Sequence, residues 1–379
     1  MEIIQVVPTF PPVVSGVGDY ALLLAEELRQ RHNLHSRFIV GDPDWAGTSE
    51  AHGFPVTKAA ARTPESLTRL LSEQACAGLP VLLHYVGYGY EKRGCPLWLV
   101  KGMEQWRRVS SRSRLVTMFH ELFAFGPPWR SSFWTSPLQR RLTVALAVMS
   151  DHCVTNIRRF ARYLESRLGT HSRRVKVLPV FSNVGEFYQR ERRRNNEMVI
   201  FGGAGWREAA YINSKDALIK ICRALNIDQI HDIGPRLSAR FELPARIEWH
   251  GPLPASEVGE VMRNARFGFF TYPTPYLGKS GIFAAYASHG LVPITVDEND
   301  ETNEDQLQIN NHFLTCGSLP RNTDGVSTIG EQVHAWYTKH RLAVQVEKYA
   351  EMLTEDTNEL SARKKKLNMV NFMQTLQLI

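Results

Sequence analysis

Cysteine is scarce in this sequence, and long apolar runs are absent. The 379 residues contain five cysteines, Cys76, Cys95, Cys153, Cys222 and Cys316, which are odd in number and lack the C-x-x-C spacing of a zinc or redox site. Reduced thiols in a cytoplasm are therefore expected. No apolar segment is long enough to span a bilayer, and a strand-like run begins at residue 2 with no basic segment or cleavage site before it. These absences predict a cytoplasmic protein without a secretory signal.

Two α/β domains are expected from the length and the hydrophobic pattern. A chain of 379 residues with 43% hydrophobic residues can bury two cores. Short apolar runs alternate with helical stretches in both halves, which is typical of parallel sheets covered on both faces. The predicted strands are residues 3–7, 36–40, 81–85, 115–119 and 153–155 in the first half, and residues 198–201, 229–233, 246–250, 267–271 and 291–296 in the second.

The polar, arginine-rich residues 181–196 are predicted to form a linker. They separate an N-terminal Rossmann-like domain at 1–185 from a C-terminal Rossmann-like domain at 197–350. Doubly wound domains bind ligands at the carboxyl ends of their strands, so two in tandem predict a cleft between them.

Basic residues crowd two segments, 158–176 and 190–194, in a chain of formal net charge +7. Three interpretations compete: a solvated face, a nucleic-acid patch, or a surface for anionic membranes and acidic substrates. No zinc spacing, aromatic RNA-binding motif or basic zipper accompanies the arginines, so we expect no nucleic-acid partner. Peripheral membrane contact through the basic surface of the N-terminal domain stays open.

A glycine loop after the first predicted strand is a candidate phosphate-binding element. Residues 8–15 are rich in proline, and Gly16 and Gly18 open the next helix. Glycines there let backbone N–H groups approach an anion at the positive helix end. Residues 16–21 also fit the dinucleotide fingerprint G-x-G-x-x-A, with Asp42 after the second strand, which favours an NAD-dependent oxidoreductase. In that fingerprint the glycines follow the strand directly, whereas eight residues intervene here; a turn capped by Asp19 is a third interpretation.

Two histidines end predicted strands of the first half. His84 ends the third strand, and His120 ends the fourth. Together with the glycine loop, these segments resemble the retaining family 4 glycosyltransferases of the GT-B fold. The resemblance places the glycine loop and His84 at the donor site and makes His120 the residue that faces the donor sugar. A histidine at the carboxyl end of a parallel strand faces the ligand crevice, which supports this assignment.

The second half continues the resemblance in the same order. The segment Phe201-Gly202-Gly203-Ala204-Gly205-Trp206-Arg207 resembles the family's strand–glycine–arginine segment, and Lys215 resembles the lysine that follows it, at a longer spacing than the family usually shows. The resemblance places Gly205 at the donor and makes Arg207 and Lys215 catalytic together with His120. Two preorganised cations can stabilise a departing nucleoside diphosphate without a metal ion.

Further donor-binding segments follow. The family's loop that closes over the nucleobase resembles Gly251-Pro252-Leu253, with Leu253 at the edge of the base. The helix start that holds the diphosphate resembles Gly278-Lys279-Ser280-Gly281-Ile282. Free N–H groups and the helix dipole at such an end favour phosphate.

One departure from the family concerns two glutamates, eight positions apart around this helix. The first corresponds here to Leu277 or Gly278 and the second to Ala285 or Tyr286, and none of these is acidic. In the family the first lies near the sugar and the second binds the ribose. Because of this departure, the identity of the donor stays open. A catalytically silent protein that only binds a sugar nucleotide is an alternative interpretation.

The resemblance implies transfer of a hexose such as glucose, with retention, from a nucleoside-diphosphate sugar resembling UDP-glucose. The implied acceptor is a glycan or a lipid-linked acceptor in polysaccharide or glycoconjugate synthesis. It further implies no cofactor, no metal, and a helical tail at 351–379 that packs toward the N-terminal domain. The sequence has no pair of acidic residues at a spacing that would favour a covalent glycosyl-enzyme. We therefore expect the leaving diphosphate to depart from, and the acceptor to attack, the same face of the sugar.

Two segments mimic other sites. The Gly278-Lys279-Ser280 segment lacks the first glycine of a phosphate-binding P-loop, because Pro273 occupies its place. Asp42-Pro43-Asp44 mimics a metal-binding D-x-D, but a turn is expected after the second strand.

Overall fold

Two β-sheets organise the chain in the computed structural model, which describes residues 1–74, 78–110, 113–169, 175–188, 194–237, 241–297, 304–320 and 325–355. Cys76, the arginines at 173, 174, 190, 192 and 193, and most of the predicted C-terminal tail lie outside the described residues. The chain divides into two compact units. The first comprises Met1–Leu178 with the described residues from Gln345 onward, and the second comprises Pro179–Val344.

The first unit contains an eight-stranded sheet in the order β3-β4-β2-β1-β5-β6-β7-β8. Its described pairs are parallel except for the short antiparallel pair β3–β4. Strands β5 and β6 are buried along their whole length, as expected for strands covered on both faces. The strands are β1 (Glu2–Val7), β2 (His35–Val40), β3 (Glu50–Ala51), β4 (Phe54–Lys58), β5 (Val81–Tyr85), β6 (Leu115–Phe119), β7 (His152–Thr155) and β8 (Val175–Val177).

The second unit contains a six-stranded parallel sheet in the order β11-β10-β9-β12-β13-β14. Numbered from its own first strand, this is the order 3-2-1-4-5-6 of the doubly wound Rossmann fold. The order reverses between β9 and β12, so the loops after these two strands part in opposite directions. The strands are β9 (Asn195–Phe201), β10 (Gln229–Ile233), β11 (Arg246–Gly251), β12 (Ala265–Phe270), β13 (Val292–Thr295) and β14 (Leu314–Thr315).

Helices connect the strands, and capping residues set several of their ends. The Ser15 side chain accepts a hydrogen bond from the Gly18 N–H at the start of α1, and Thr63 accepts one from the Ser66 N–H at the start of α2. The helices are α1 (Gly16–His32), α2 (Pro64–Gln74), α3 (Gly87–Tyr90), α4 (Leu97–Val109), α5 (Ser131–Met149), α6 (Arg158–Leu168), α7 (Ala204–Asn213), α8 (Lys215–Ala224), α9 (Ala255–Asn264), α10 (Gly281–His289), α11 (Val326–Thr338) and α12 (Leu342–Thr354), with a 3-10 helix at Thr274–Lys279.

All ten predicted strands are present, with ends within three residues of those predicted. The bounds of β5, β6 and β10 coincide with the prediction. Helix α7 was not predicted, because its glycine-rich beginning is typical of a loop. Within the predicted linker, β9 already begins at Asn195. No helix among the described residues is long and apolar enough to cross a membrane.

Candidate functional site

The point where the second sheet reverses its order lies between the ends of β9 and β12. A cavity there of about 10 Å³ is lined by Phe201, Phe270, Trp206 and Ile282 among others. That volume holds about one water molecule, so the side chains between the ends of β9 and β12, here called the reversal point, are closely packed. Ligands of open α/β sheets bind in the crevice outside such strand ends. Trp206 belongs to α7 and Ile282 to α10, so the first turns of both helices flank this point.

The first turn of α10 presents donors without an intrahelical acceptor. The Ser280 hydroxyl accepts from the Phe283 N–H at 3.2 Å, which caps one of them. For the N–H groups of Gly281 and Ile282, no described residue is the acceptor. Gly281 is exposed, and the space around its Cα is open. Unsatisfied N–H groups and the positive end of the helix dipole are features that favour an anion. The structure thus brings Ser280, Gly281 and Ile282 together as predicted donor-binding residues; Gly278 and Lys279 end the preceding 3-10 helix.

The first turn of α7 has a similar form. Gly203 is its N-cap residue and provides no side-chain cap. Gly203 and Gly205 both border open space. The rings of Trp206 and Tyr272 lie 5.4 Å apart, and Trp206 is 48% exposed. A second helix N-terminus and an aromatic pair therefore border the same reversal point.

Arg207 is buried beneath this turn, with 1% of its surface exposed. Its guanidinium forms an ion pair with Asp232 and donates from Nε to the Gly202 carbonyl at 3.0 Å and from Nη2 to the Pro235 carbonyl. The other Asp232 oxygen accepts from the Tyr211 hydroxyl at 2.9 Å. Burial raises the pKa of Asp232, and the Arg207 charge opposes that rise. The described contacts of Arg207 thus tie the loops after β9 and β10 together, and its catalytic role stays a prediction.

Lys215 is the exposed first residue of α8, and no described ion pair includes it. Arg207 and Lys215, predicted to act together, therefore differ sharply in environment. One is enclosed by protein groups, and the other faces solvent.

The loops after β10 and β11 need glycine at two positions. Gly234 has a φ of 148°, and a Cβ there would lie 2.2 Å from the Gly202 carbonyl oxygen. Gly251 has a φ of 71°, in the left-handed region, and its carbonyl accepts from the Gly234 N–H at 3.0 Å. The three loops after β9, β10 and β11 are thereby linked, and Leu253 lies half-buried just beyond them.

The four positions that correspond to the family's glutamates are all buried. Leu277 and Gly278 lie inside the 3-10 helix, and Ala285 and Tyr286 lie inside α10. The Tyr286 hydroxyl lies 3.0 Å from the carbonyl oxygens of both Val199 and Phe269, so it joins β9 to β12 below the reversal point. These residues are part of the core and do not replace the missing carboxylates.

Asp297 is a carboxylate near this point that sequence reasoning missed. It follows β13 and accepts from the Thr274 N–H at 2.7 Å and from the Thr274 hydroxyl at 3.1 Å. This contact holds the segment that leads into α10. Its position after a short apolar strand was the available signal.

In the first unit, His84 and His120 contact each other directly. His84 Nδ1 lies 3.2 Å from His120 Nε2, and His84 Nε2 lies 2.8 Å from the Gln5 side-chain oxygen. The Gln5 amide donates in turn to the Ser36 hydroxyl at 2.8 Å. His84 is fully buried, and burial, followed by the nearby His120, lowers its pKa well below the ordinary value. A neutral His84 that donates from Nε2 to the Gln5 oxygen has a lone pair on Nδ1. His120 Nε2 is therefore the donor in the hydrogen bond between the two histidines.

Tyr20 completes the histidine network. Its ring meets that of His120 edge-on at 5.0 Å between centroids. Its hydroxyl donates to the Gln345 side chain at 2.9 Å and lies 3.2 Å from the Tyr349 hydroxyl, both on α12. Sequence reasoning found the two histidines but missed Gln5, Tyr20 and Gln345, because no local pattern links them.

Gly16 and Gly18 lie in the first turn of α1. A Cβ at Gly18 would lie 3.1 Å from the Thr9 carbonyl oxygen, whereas Gly16 borders open space. The cap of this helix is Ser15 rather than Asp19, so that detail of the turn interpretation was wrong. Asp19 sits in the first turn, where burial raises its pKa.

Asp42 and Asp44 form the expected turn. The Asp44 N–H donates to Asp42 Oδ1 at 3.2 Å, and Asp42 pairs with Arg62 at 3.0 Å. This arrangement is an Asx turn with a cation partner.

No family model and no curated protein matches the chain. Solved structures do match it over nearly its full length. The lipopolysaccharide outer core galactosyltransferase WaaB, in its apo form, shares 12% identity at a TM-score of 0.57, covering 93% of this chain and 99% of that one. WaaG, a glycosyltransferase involved in lipopolysaccharide biosynthesis, shares 13% identity at 0.56, covering 93% and 100%. An α-glucosyltransferase in complex with UDP-glucose and DNA containing an abasic site shares 10% identity at 0.50, covering 98% and 99%.

These similarities show the fold. The chain has the GT-B fold of glycosyltransferases, with two Rossmann-like parallel-sheet units, and the fold prediction is confirmed.

Proposed function

We propose that the protein transfers a hexose, with retention, from a nucleoside-diphosphate sugar to a glycan or lipid-linked acceptor, in polysaccharide or glycoconjugate synthesis. A UDP-sugar such as UDP-glucose is the favoured donor. The observation that carries the proposal is the pair of helix N-termini, α7 and α10, that flank the reversal point of the second sheet with uncapped N–H groups.

The diphosphate would bind at these N-termini. The N–H groups of Gly281 and Ile282 supply donors on one side, and the glycine-rich turn Gly203–Gly205 leaves room for close approach on the other. Such an arrangement binds phosphate through backbone donors and helix dipoles. Lys215, exposed on the next helix, is the proposed cation for the leaving diphosphate. The Trp206–Tyr272 pair offers an aromatic face to a sugar or base ring.

His120 is the proposed residue for orienting the transferred sugar. Its ring is held by the hydrogen bond to His84 and by the edge contact with Tyr20. A rigid imidazole of this kind positions a hydroxyl at little cost in entropy. His120→Ala should lower turnover while UDP binding persists. If turnover is unchanged, this role is wrong.

A catalytically silent nucleotide-sugar-binding protein is the second candidate. It is favoured by the burial of Ala285 and Tyr286, and by the engagement of Arg207 with Asp232. Incubation with radiolabelled UDP-glucose separates the two, because an active transferase that passes glucose to water releases UDP, and a silent protein releases none.

Peripheral membrane contact is proposed for the first unit. Trp129, just before α5, and Trp134, in its first turn, are 83% and 72% exposed, and the Phe133 ring lies 5.3 Å from that of Trp134. The Phe123 ring lies 4.7 Å from Tyr163 of α6, the helix that carries the exposed Arg158, Arg159 and Arg162. Aromatic residues next to basic ones suit the headgroup region of an anionic bilayer. We also propose that the protein is located in the cytoplasm, because such a location fits the use of a nucleotide-sugar donor.

Ligand-induced stabilisation tests the proposal against the NAD-dependent alternative. UDP at a hundredfold excess over its dissociation constant should add about 2.7 kcal/mol to the free energy of unfolding, and NAD should add nothing. Stabilisation by NAD with none by UDP would reject the proposed donor.

Turnover should also persist in EDTA, because the proposed diphosphate site uses Lys215 and backbone donors rather than a metal.

A further inference from the structure

Two strands of the second sheet bring three metal-ligating side chains together on one face. His231 lies on β10, opposite Glu248 in the register of β11, and His250 lies two residues after Glu248. Side chains two apart on a strand share a face. One ligand atom from each residue lies within 4.8 Å of the other two, and no other such group occurs in the part of the chain that the structure describes. None of the three lines the cavity between β9 and β12.

The distances between the ligand atoms suit a small divalent ion. His231 Nδ1 lies 2.9 Å from His250 Nε2 and 3.7 Å from a Glu248 oxygen, and His250 Nε2 lies 3.9 Å from the other oxygen. Ligands about 2.0–2.1 Å from a tetrahedral zinc are about 3.3 Å from one another. The three observed distances, of which the two to Glu248 involve different oxygens, lie on either side of that value, so shifts of about half an ångström would bring one atom of each residue around an ion.

Neighbouring groups orient these ligands. Glu197 on β9 accepts from His231 Nε2 at 3.0 Å, which leaves the lone pair on Nδ1, the atom that faces the other two ligands. The Gln229 amide donates to Glu248 at 2.6 Å. Carboxylates behind ligating histidines and hydrogen bonds to ligating carboxylates are typical of protein metal sites.

We propose that His231, Glu248 and His250 bind a divalent transition metal of the zinc class, with water in the fourth position. Two imidazoles and one carboxylate favour zinc over the oxygen-preferring magnesium and calcium. The side chains of His231, His250 and Glu248 are 12%, 18% and 41% exposed, which leaves a path for the ion. The ion joins the edge strand β11 to β10 and stabilises the second unit by mass action. It takes no part in the proposed transfer.

The competing account is a hydrogen-bond network alone, in which one proton joins the two imidazoles. Isothermal titration of the metal-stripped full chain with zinc chloride, under reducing conditions, separates the accounts. We expect one zinc per chain, no heat with magnesium chloride, and at least a hundredfold weaker binding in His231→Gln and His250→Gln. Glu197→Gln, which replaces the carboxylate behind His231 with a neutral amide, should weaken binding about tenfold to a hundredfold. The control His52→Asn replaces an exposed histidine whose φ of 54° asparagine accepts, and should bind as wild type.

X-ray absorption of the wild-type chain with one equivalent of zinc gives a reading that does not depend on how the variants fold. Two imidazole ligands are expected. Absence of stoichiometric binding, retention of binding in both histidine variants, or sulfur ligation would overturn the proposal. None of these measurements uses a nucleotide, so the result is independent of the proposed transferase activity.

Discussion

The Arg207 guanidinium and the Asp232 carboxylate form an ion pair in the interior of the second unit, each at most 2% exposed at its side chain. Together with the carbonyl groups of Gly202 and Pro235, this pair fixes the turn that leads from β9 into α7. Arg207, which the sequence predicts to hold the leaving diphosphate, is thus a buried residue that supports this turn.

The first prediction concerns the stability of this pair. Arg207→Ala leaves a buried carboxylate without its cation, and the free energy of unfolding should fall by about 3 to 5 kcal/mol. Arg207→Met combined with Asp232→Asn removes both charges and keeps an acceptor for Tyr211, so much of the loss should be recovered. The exposed Arg223→Ala is the control and should change stability by less than about 0.5 kcal/mol. Urea unfolding measures all three. An Arg207→Ala protein as stable as wild type would refute the structural role.

The second prediction separates Lys215 from Arg207. Lys215 is exposed, so Lys215→Ala should leave stability unchanged. If its ammonium stabilises the departing diphosphate, turnover should fall roughly a hundredfold to a thousandfold while UDP-sugar binding changes less. Single-turnover kinetics measures the chemical step. An unchanged rate would remove Lys215 from the proposed site.

The sequence predicted the strands well because most of them are short apolar runs bounded by turn residues, as in residues 81–85 and 115–119. It predicted the start of α10 to within one residue because Ser280 and Gly281 are local signals for a helix N-terminus. It could not predict that Arg207 would be buried, since its partner Asp232 lies 25 positions away and the pairing depends on how β9 and β10 align. The His231, Glu248 and His250 cluster was missed for the same reason, because its spacing follows from strand register and not from a motif.

The third prediction concerns pH and His289. Burial lowers the pKa of His289 to about 4, with Arg194, Arg263 and His334 adding to the effect and a hydrogen bond to the Ala285 carbonyl opposing it. The unfolded chain binds a proton near pH 6.5 and the folded chain does not, so stability is lost as the pH falls below that value. Between pH 7 and pH 5 this histidine should account for about 2 kcal/mol of that loss.

The test variant is His289→Asn, whose amide can still donate to the Ala285 carbonyl. Between pH 7 and pH 5 its free energy of unfolding should fall by about 2 kcal/mol less than that of wild type. His52→Asn, at an exposed position, should leave the pH dependence unchanged. Identical pH profiles for wild type and His289→Asn would contradict the lowered pKa, because they would mean that His289 binds its proton equally well in the folded and the unfolded chain.

The fourth prediction tests membrane contact. Vesicles that contain phosphatidylglycerol should carry the protein upward in a density gradient, and vesicles of phosphatidylcholine alone should carry much less. Trp129→Ser with Trp134→Ser should abolish flotation, because these side chains would enter the interface. Trp249→Ser removes a Trp that is also exposed, in the second unit, and should have no effect. Equal flotation of both variants would place any membrane contact elsewhere.

The most direct measurement of the central claim is UDP affinity in two variants of Gly281. Proline is favoured at the first position of a helix, and the extended Ser280, at φ −88° and ψ 111°, tolerates a following proline. Gly281→Pro therefore removes the N–H while α10 persists, and Gly281→Ala adds a methyl group into open space and keeps the N–H. A hydrogen bond to a charged group contributes about 1.5–3 kcal/mol, so isothermal titration should show UDP affinity at least about tenfold weaker in Gly281→Pro. Gly281→Ala should stay within about twofold of wild type. Equal, wild-type affinity in both variants would contradict diphosphate binding at the α10 N-terminus.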